Sequence, residues 1–394
     1  MAKGSIMRCV TLTVLVCGSS ILDTGAYAFQ VTALQAPGRD LRPRPPLSSL
    51  RGGFGIPGLG GKGKSDGLSL RNGGEKSPVK STAGGVTTQS GGFRDKIELG
   101  VLIFLWYATS VVCTNSTKGL GLHWSIVTLS QLVISSLCGF VGIRLFGIVP
   151  YKPIANADQL KQTSLLAAVF TMGFITLNSA LGMMHVSLVM TLRATEPIFT
   201  LLLSVFLLKS EQVTFKMAMS LMPVVFGAAL SSAESADFRI AGLIISVVCN
   251  IMFALRGILT KRLKASHTVD NFNLFFQVCF LGALFQGACL AVSSLFVPVS
   301  LPLHRLSDIS YASTLLVNGV SFYAYLQLSW VVLSRIAAVS HSVCNSLRRP
   351  VMCVFGSLQF GNPISPLNSA GIAMATLGTL LYSQVRLADG KSAE

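Results

Sequence analysis

Two adjacent arginines, Arg348 and Arg349, lie near the centre of an apolar stretch, residues 336–360, that contains no carboxylate. As a helix that rises ~1.5 Å per residue, this stretch is long enough to cross the ~30 Å hydrocarbon core of a bilayer. An arginine at the middle of such a span costs ~2.5–3.5 kcal/mol on insertion scales, so two of them need a compensating anion. The pair therefore predicts an anion-binding site inside a membrane.

Three further charged side chains lie inside apolar stretches: Arg193, Glu196 and Arg256. Arg193 lies about seven residues into its stretch, a depth of ~10 Å in a helix, which is deep for a guanidinium that must reach the interface. Glu196 follows on the same helical face and can pair with Arg193 or Arg256. Arg256 stands near a basic run, so it belongs to the anion site, to a gate salt bridge or to the interface.

Arginines in this arrangement suit phosphate. The planar guanidinium fork donates two parallel charge-assisted hydrogen bonds to phosphate or carboxylate, and it stays charged at every physiological pH. A phosphate monoester carries nearly two negative charges at pH 7. Three arginines, Arg193, Arg348 and Arg349, set against Glu196 leave two positive charges, which a phosphate matches and a monocarboxylate does not. We therefore expect these arginines to bind phosphate.

The composition is that of a membrane protein. Of the 394 residues, 51% are hydrophobic and only 12% are charged, against about 25% charged in soluble domains. The net charge of +16 is concentrated in part in residues 1–92, which hold 11 basic and 4 acidic residues. Short basic clusters at the ends of apolar stretches supply much of the remainder. The charge therefore gives no support for a nucleic-acid partner, and we expect a lipid bilayer instead.

Apolar stretches alternate with short polar breaks from residue 97 onward, and they predict an all-α membrane protein with about ten transmembrane helices. The ten predicted spans are 97–115, 124–147, 163–183, 186–208, 214–233, 239–260, 272–296, 310–333, 336–360 and 365–385. An even number of spans places both ends of the domain on one side of the membrane.

The spans also indicate an internal duplication. The string Leu192–Pro197 lies in the fourth span and the string Leu347–Pro350 lies in the ninth, and both combine charged residues with a proline. Proline-interrupted helices at matching positions of two halves are typical of a transporter site near mid-membrane. We expect two inverted five-helix repeats, at about 97–235 and 236–386.

The N-terminal residues are predicted to be targeting sequence. Residues 1–28 combine a basic start, a short apolar run and the ending Ala26-Tyr27-Ala28, which is typical of a cleavable signal peptide. Residues 29–92 are rich in Gly, Ser, Pro and Arg and too polar to build a core, which suits a disordered transit peptide. A signal peptide followed by a segment that begins with Phe29 resembles the bipartite presequence of secondary, red-lineage plastids.

This order predicts a multi-pass protein of a plastid envelope membrane, with a transporter domain at residues 93–394. A Golgi or endoplasmic reticulum membrane is the alternative location. Residues 93–394 contain no Walker A, HExxH or GxSxG pattern, and the nine cysteines of the chain form no CxxC pair. We therefore expect no enzymatic activity, cofactor, metal site or disulfide framework.

Several strings resemble the plastid phosphate translocators, which belong to the drug/metabolite transporter superfamily. The most specific strings are Ser340–Asn345 and Asn362–Asn368, which lie within Val339–Arg349 and Gly361–Asn368. The segments Phe322–Ser329, Val186–Pro197, Asn250–Arg256 and Leu381–Ser383 continue the match. The resemblance covers residues 97–386. It implies ten helices and the exchange of inorganic phosphate for a phosphorylated C3, C5 or C6 metabolite, such as a triose phosphate, 3-phosphoglycerate or phosphoenolpyruvate.

The resemblance also implies roles for individual residues. The phosphate-binding lysine of the family's fourth span corresponds to Arg193, and its Lys-Arg pair in the ninth span corresponds to Arg348 and Arg349. A tyrosine that helps to hold the phosphate corresponds to Tyr325, and a phenylalanine that lines the pocket corresponds to Phe253. Arg256 is a further candidate for the pocket.

The sequence departs from the family pattern in two respects. Both family lysines are arginines here, and Phe174 and Leu177 occupy the places of a histidine and a threonine that contact substrate in triose-phosphate members. Phosphate recognition is therefore better supported than triose recognition. The alternatives are a nucleotide-sugar transporter of the secretory pathway and an intramembrane phosphotransfer enzyme, for which no nucleophile can be named. We expect a monomer or homodimer.

Overall fold

A computed structural model describes residues 93–208, 214–233, 238–295, 307–336, 338–362 and 364–392. The predicted signal and transit peptides lie outside these residues.

Two strings within the predicted transit peptide, Gly58–Ser65 and Gly63–Gly67, match the letters of the Walker A and GxSxG patterns. Their Gly-rich and Ser-rich flanks lack the strand–loop–helix pattern that both motifs require, so they do not indicate an enzyme.

Every regular element in the described residues is a helix, as predicted for an all-α membrane protein. The fourth span consists of two short helices, which we call α4a and α4b, followed by a π-helical turn at Ser204–Leu208. The helices are α1 Phe93–Gly119, α2 Trp124–Arg144, α3 Ala157–Met183, α4a Val186–Arg193, α4b Glu196–Leu203, α5 Phe215–Ala233, α6 Ile240–Ser266, α7 Asn271–Ser294, α8 Ile309–Leu333, α9 Ala338–Phe360 and α10 Pro366–Ser392.

Each of the ten predicted spans coincides with one of these helical segments. The differences lie at the ends, where α3 begins about two turns before the predicted start and α6 and α10 continue about two turns beyond the predicted end. The early start of α3 has a local cause, because the side chain of Asn156 caps it by accepting a hydrogen bond of 2.8 Å from the main-chain N–H of Gln159.

Eight of the described segments, α1 to α8 with α4a and α4b taken together, are long and apolar enough to cross a membrane. The arginine pair lowers the hydropathy of α9, and α10 is rich in Gly, Ser and Thr. Large apolar side chains such as Phe104, Phe226 and Leu358 are exposed on the outer surface. Such a surface suits lipid, and the chain is an integral membrane protein.

The break in the fourth span follows from Pro197. In a continuous helix the N–H of residue 197 would donate to the carbonyl of Arg193, but proline has no N–H. The helix accordingly stops after Arg193 and restarts at Glu196, with Pro197 in the first turn of α4b. The matching interruption in the ninth span does not occur, because α9 continues through Pro350.

The helix contacts have the pattern of two equivalent halves. Helix α1 packs on α8 as α6 packs on α3, and α2 packs on α8 as α7 packs on α3. The pairs α2–α7, α4a–α9 and α5–α10 join helices five positions apart. Shifting every helix by five positions therefore exchanges these contacts with one another. This pattern agrees with the predicted two five-helix repeats.

Helices α5 and α10 approach most closely at glycines. A Cβ atom on Gly227 would lie 2.4 Å from the main-chain nitrogen of Ala375, and one on Gly371 would lie 2.7 Å from the carbonyl oxygen of Gly227. The contact ends at a hydrogen bond of 2.6 Å from Ser231 Oγ to Asn368 Oδ1. Small residues at such a contact allow backbones to touch, which is how membrane helices pack in the absence of a hydrophobic driving force.

Candidate functional site

The structure brings all six predicted site residues to one cavity of about 680 Å³. The cavity lies between the two repeats, since the first repeat contributes one of these side chains and the second contributes five. Arg193 ends α4a, Phe253 and Arg256 lie on α6, Tyr325 lies on α8, and Arg348 and Arg349 lie on α9.

Glu196 holds two of the arginines together. Its Oε2 accepts hydrogen bonds from Arg193 Nη2 at 2.8 Å and from Arg349 Nη2 at 3.0 Å. The Arg193 and Arg349 side chains are each 12% exposed and the Glu196 side chain is 24% exposed. A single carboxylate therefore serves two guanidinium groups in a mostly buried position, and one positive charge remains in excess.

The main chain supplies a second link between α4a and α9. Arg349 Nη1 donates to the main-chain carbonyl of Arg193, which is the carbonyl that Pro197 leaves without a helical donor. Arg193 itself donates from Nη1 to the sulfur of Cys249 at 2.9 Å and lies over the ring of Phe253, with 4.1 Å between its guanidinium carbon and the ring centroid. These contacts fix the direction of both guanidinium groups.

Arg348 is held by neutral partners alone. Its Nη1 donates to Ser110 Oγ at 3.0 Å and its Nη2 donates to Asn345 Oδ1 at 3.2 Å. Its buried Nε finds no hydrogen-bond acceptor in the described part of the chain. The guanidinium carbon lies 5.5 Å from the ring centroids of both Trp106 and Tyr325. The positive charge of Arg348 is thus not neutralised by a carboxylate of the described residues, and N–H donors of its guanidinium group stay without a partner among them.

Arg256 stands beside aromatic rings. Its guanidinium carbon lies 5.0 Å from the ring centroid of Phe253 and 5.6 Å from that of Phe170. No carboxylate among the described residues forms an ion pair with it. The four arginines and Glu196 therefore carry three positive charges in excess, and Lys261 and Lys264 add two further cationic side chains to the lining of the cavity.

Aromatic side chains form one wall of the cavity. Phe174 packs edge-to-face against Phe253, with centroids 5.0 Å apart, and against Phe322, with centroids 4.6 Å apart. Leu177 continues this wall, and Tyr325 meets it through Phe322. The two residues that depart from the family pattern, Phe174 and Leu177, therefore both line the cavity. They make this wall apolar next to the cationic site.

Several residues of the site were not identified from the sequence. Asn345 was detectable, because it stands three residues before Arg348 on one helical face. Ser110 and Cys249 come from α1 and α6, and no spacing along the chain relates them to the arginines that they contact. At one end of the cavity, Lys264 donates to Asn271 Oδ1 and lies over the ring of Trp330.

The arrangement can hold a small anion by charge-assisted hydrogen bonds. Arg193 belongs to the first repeat, and Arg348 and Arg349 belong to the second. Their side chains line one cavity and are partly buried there, and charge-assisted hydrogen bonds are stronger in such a place than in bulk water. The neutral hydroxyl of Tyr325 forms no hydrogen bond with another described residue and is available to the same ligand.

Comparison with known proteins places the chain in one transporter family. The profile of the Triose-phosphate Transporter family matches residues 97–383. The chain is 32% identical over 305 residues to phosphoenolpyruvate/phosphate translocator 1 of Oryza sativa subsp. japonica, covering 76% of this chain and 74% of that protein. It is 31% identical over 306 residues to the non-green plastid triose phosphate/phosphate translocator of Brassica oleracea var. botrytis, covering 75% of each. It is 29% identical to the xylulose 5-phosphate/phosphate translocator of Arabidopsis thaliana, covering 73% and 70%.

Proposed function

The chain belongs to the triose-phosphate transporter family, and from that premise we propose that it exchanges inorganic phosphate for a small phosphorylated metabolite across a membrane. The observation that carries this proposal is the convergence of Arg193, Arg348 and Arg349 on one cavity, with Glu196 paired to Arg193 and Arg349. Their two excess positive charges match the charge of a phosphate monoester at pH 7. The names of the relatives, which all include phosphate, support the same ligand.

The two repeats give the exchange its mechanism. A phosphate bound between Arg193 of the first repeat and Arg348 of the second links the two halves. It neutralises the two excess charges of Arg193, Arg348 and Arg349, so that the halves can rock against each other and open the site to the opposite side. An empty site keeps its uncompensated arginines in a medium of low dielectric constant. Reorientation without a ligand is then unfavourable, and transport becomes an obligatory exchange.

We place the protein in a plastid envelope membrane. The names of the three relatives above include the word chloroplastic, and residues 1–92 combine the features of a signal peptide with those of a transit peptide. This order favours a secondary, red-lineage plastid. Arg193, Arg348 and Arg349 of one chain meet in one cavity, and we propose that the protein acts as a monomer or a homodimer. The protein acts as a carrier and not as an enzyme.

Reconstitution into liposomes tests the proposal. We expect rapid uptake of labelled phosphate into liposomes loaded with phosphate and little uptake into empty ones. Equal uptake into both would contradict obligatory exchange, and no uptake into either would contradict phosphate transport. Organic phosphate recovered intact on the far side, with no hydrolysis product, argues against a phosphotransfer enzyme. Exchange of nucleotide sugars in place of phosphate would support the alternative carrier.

A further inference from the structure

We propose that Ser110 and Cys249 are matched positioning residues, which orient the arginines Arg348 and Arg193 without adding a negative charge beside them. The inference rests on the proposed function, because there both arginines bind the phosphate of the transported ligand. It goes beyond that function by assigning to two neutral side chains the task of holding each guanidinium group in the direction that phosphate requires.

The first support is that the two contacts are alike. Arg348 Nη1 donates to Ser110 Oγ at 3.0 Å, and Arg193 Nη1 donates to Cys249 Sγ at 2.9 Å. Both acceptor residues are buried, with 1% of each exposed. A bond at one terminal nitrogen limits the rotation of the planar guanidinium group, and it leaves further N–H donors of that group for other partners.

The second support is the direction in which each acceptor points. The Ser110 hydroxyl donates its own hydrogen to the main-chain carbonyl of Trp106 at 2.7 Å, and the Cys249 thiol donates to the main-chain carbonyl of Gly173 at 3.5 Å. A hydroxyl or thiol has one hydrogen to donate, so its oxygen or sulfur is left to accept from the arginine. The main chain therefore keeps both groups in the role of acceptor.

The third support is the place of the two contacts in the repeated fold. Ser110 lies on α1 and contacts Arg348 on α9, and Cys249 lies on α6 and contacts Arg193 on α4a. A shift by five helices exchanges the packing of α1 on α9 with the packing of α6 on α4a. In both cases the first helix of one repeat orients the arginine on the fourth helix of the other repeat.

The fourth support is charge. A hydroxyl or a thiol accepts a hydrogen bond without becoming a counterion. No carboxylate among the described residues forms an ion pair with Arg348, and the one that pairs with Arg193 is shared with Arg349. A carboxylate in place of Ser110 would also orient Arg348, but phosphate would then have to displace it. A neutral acceptor fixes the guanidinium group and keeps its charge for the ligand.

Substitution of Ser110 separates orientation from charge. We expect Ser110→Ala to raise the KM for phosphate exchange in liposomes about twofold to tenfold, because Arg348 must then be ordered by the ligand itself. Asn and Asp have nearly the same size and both can accept from Arg348, but only Asp adds a counterion. Ser110→Asn should stay closer to the wild type, and Ser110→Asp should have a KM at least about tenfold above that of Ser110→Asn.

Substitution of Cys249 tests the matching contact. Cys249→Ala should raise the KM for phosphate about twofold to tenfold, and Cys249→Ser, which keeps a small neutral acceptor, should bring it back close to the wild-type value. The control is Ser246→Ala, one turn earlier on α6, because the buried Ser246 hydroxyl donates to the carbonyl of Gly242 at 2.8 Å and lies outside the cavity. It should leave the KM unchanged.

Four results would overturn the inference while leaving phosphate exchange by the wild type intact. They are a wild-type KM in both alanine variants, equal KM values for Ser110→Asn and Ser110→Asp, an equal rise in KM in Ser246→Ala, and a lower maximal rate at unchanged KM, which would show a structural role only. Absence of phosphate exchange by the wild type would contradict the proposed function and this inference together.

Discussion

The side chain of Arg349 donates a hydrogen bond to the main-chain carbonyl of Arg193, 156 residues earlier in the chain. This contact joins the two repeats at the centre of the cavity. It exists because the fourth span is interrupted, since an unbroken helix would use the same carbonyl for its own ladder. The break therefore supplies a carbonyl acceptor that orients the guanidinium group of Arg349. The carboxylate of Glu196 is then shared by Arg349 and Arg193.

Arg348→Ala and Arg349→Ala should each abolish phosphate exchange in a protein that still folds and inserts. Each substitution removes charge-assisted hydrogen bonds to phosphate that are worth about 1.5–3 kcal/mol. A tenfold change in affinity corresponds to ~1.4 kcal/mol, so we expect a loss of at least about tenfold to a hundredfold. Exchange kinetics in liposomes measure the effect.

The matched control for these variants is Arg335→Ala. Arg335 forms an ion pair of 2.6 Å with Glu98 outside the cavity. Its substitution therefore tests the effect of removing an arginine that does not contact the ligand. Exchange by this variant should stay close to that of the wild type. Near-normal exchange in both Arg348→Ala and Arg349→Ala would mean that the pair is structural, and the assignment of the phosphate site would be wrong.

Glu196→Gln should lower stability without ligand and increase the stabilisation by phosphate. The variant leaves Arg193 and Arg349 without a counterion, which costs up to about 3 kcal/mol, the lower end for a broken buried ion pair, because the carboxylate is 24% exposed. In the variant, phosphate can pair with Arg193 and Arg349 without competition, whereas in the wild type it competes with the Glu196 carboxylate for them. We expect a lower melting temperature in detergent and a larger upward shift on adding phosphate than in the wild type.

Glu98→Gln is the control for Glu196→Gln, because it removes a carboxylate that pairs with an arginine away from the cavity. Its phosphate-dependent shift in melting temperature should equal that of the wild type. If Glu196→Gln showed a smaller shift than the wild type, the carboxylate would be part of the ligand site and not its competitor.

Apolar stretches predicted the ten spans, the family resemblance predicted Phe253 and Tyr325, and one physical rule predicted the arginines of the cavity. An ionised side chain inside a membrane is too costly to occur without a function, so Arg193, Arg348 and Arg349 stand out in an apolar chain. The rule says nothing about neutral partners. Ser110 and Cys249 are ordinary residues of membrane helices, and only the packing of α1 on α9 and of α6 on α4a brings them to the arginines.

The different effects of the two prolines on their helices could not be predicted from the sequence either. Pro197 and Pro350 occupy corresponding places in the two repeats, yet the helix breaks only at the first. A proline removes one hydrogen bond wherever it stands, and neighbouring helices decide whether the backbone bends or separates there. That decision depends on contacts between distant segments, which the local pattern of residues does not contain.

Gly227→Ala should destabilise the contact between α5 and α10. The added Cβ would lie 2.4 Å from the main-chain nitrogen of Ala375 and 2.6 Å from the carbonyl oxygen of Gly371, and backbone atoms cannot move aside as a flexible side chain does. Overpacking of this kind costs about 1–3 kcal/mol. Thermal unfolding measures it, with Gly287→Ala as the control, since a Cβ there meets nothing within 4 Å. Equal melting temperatures for both variants would contradict this packing.

Pro197→Ala should weaken phosphate binding although it improves the helix. Alanine restores an N–H that can bond to the carbonyl of Arg193, and it favours a helix by about 3 kcal/mol over proline in a helix interior. Arg349 then loses its main-chain acceptor and its fixed direction. The loss of one hydrogen bond, about 0.5–1.5 kcal/mol, predicts an apparent phosphate affinity about twofold to tenfold lower in liposome exchange, with equal or greater thermal stability.

The control for this last variant is Pro223→Ala, which also replaces a proline within a membrane helix but lies on α5, outside the cavity. It should leave phosphate affinity unchanged, because Arg193, Arg348 and Arg349 form no described hydrogen bond with the backbone around Pro223. An unchanged affinity in Pro197→Ala would mean that Arg349 is oriented by Glu196 alone. An equal loss in both variants would trace the effect to general changes in helix packing. A loss of phosphate affinity in Pro197→Ala alone is the expected result. It would show that the break in the fourth span presents the carbonyl of Arg193 to Arg349.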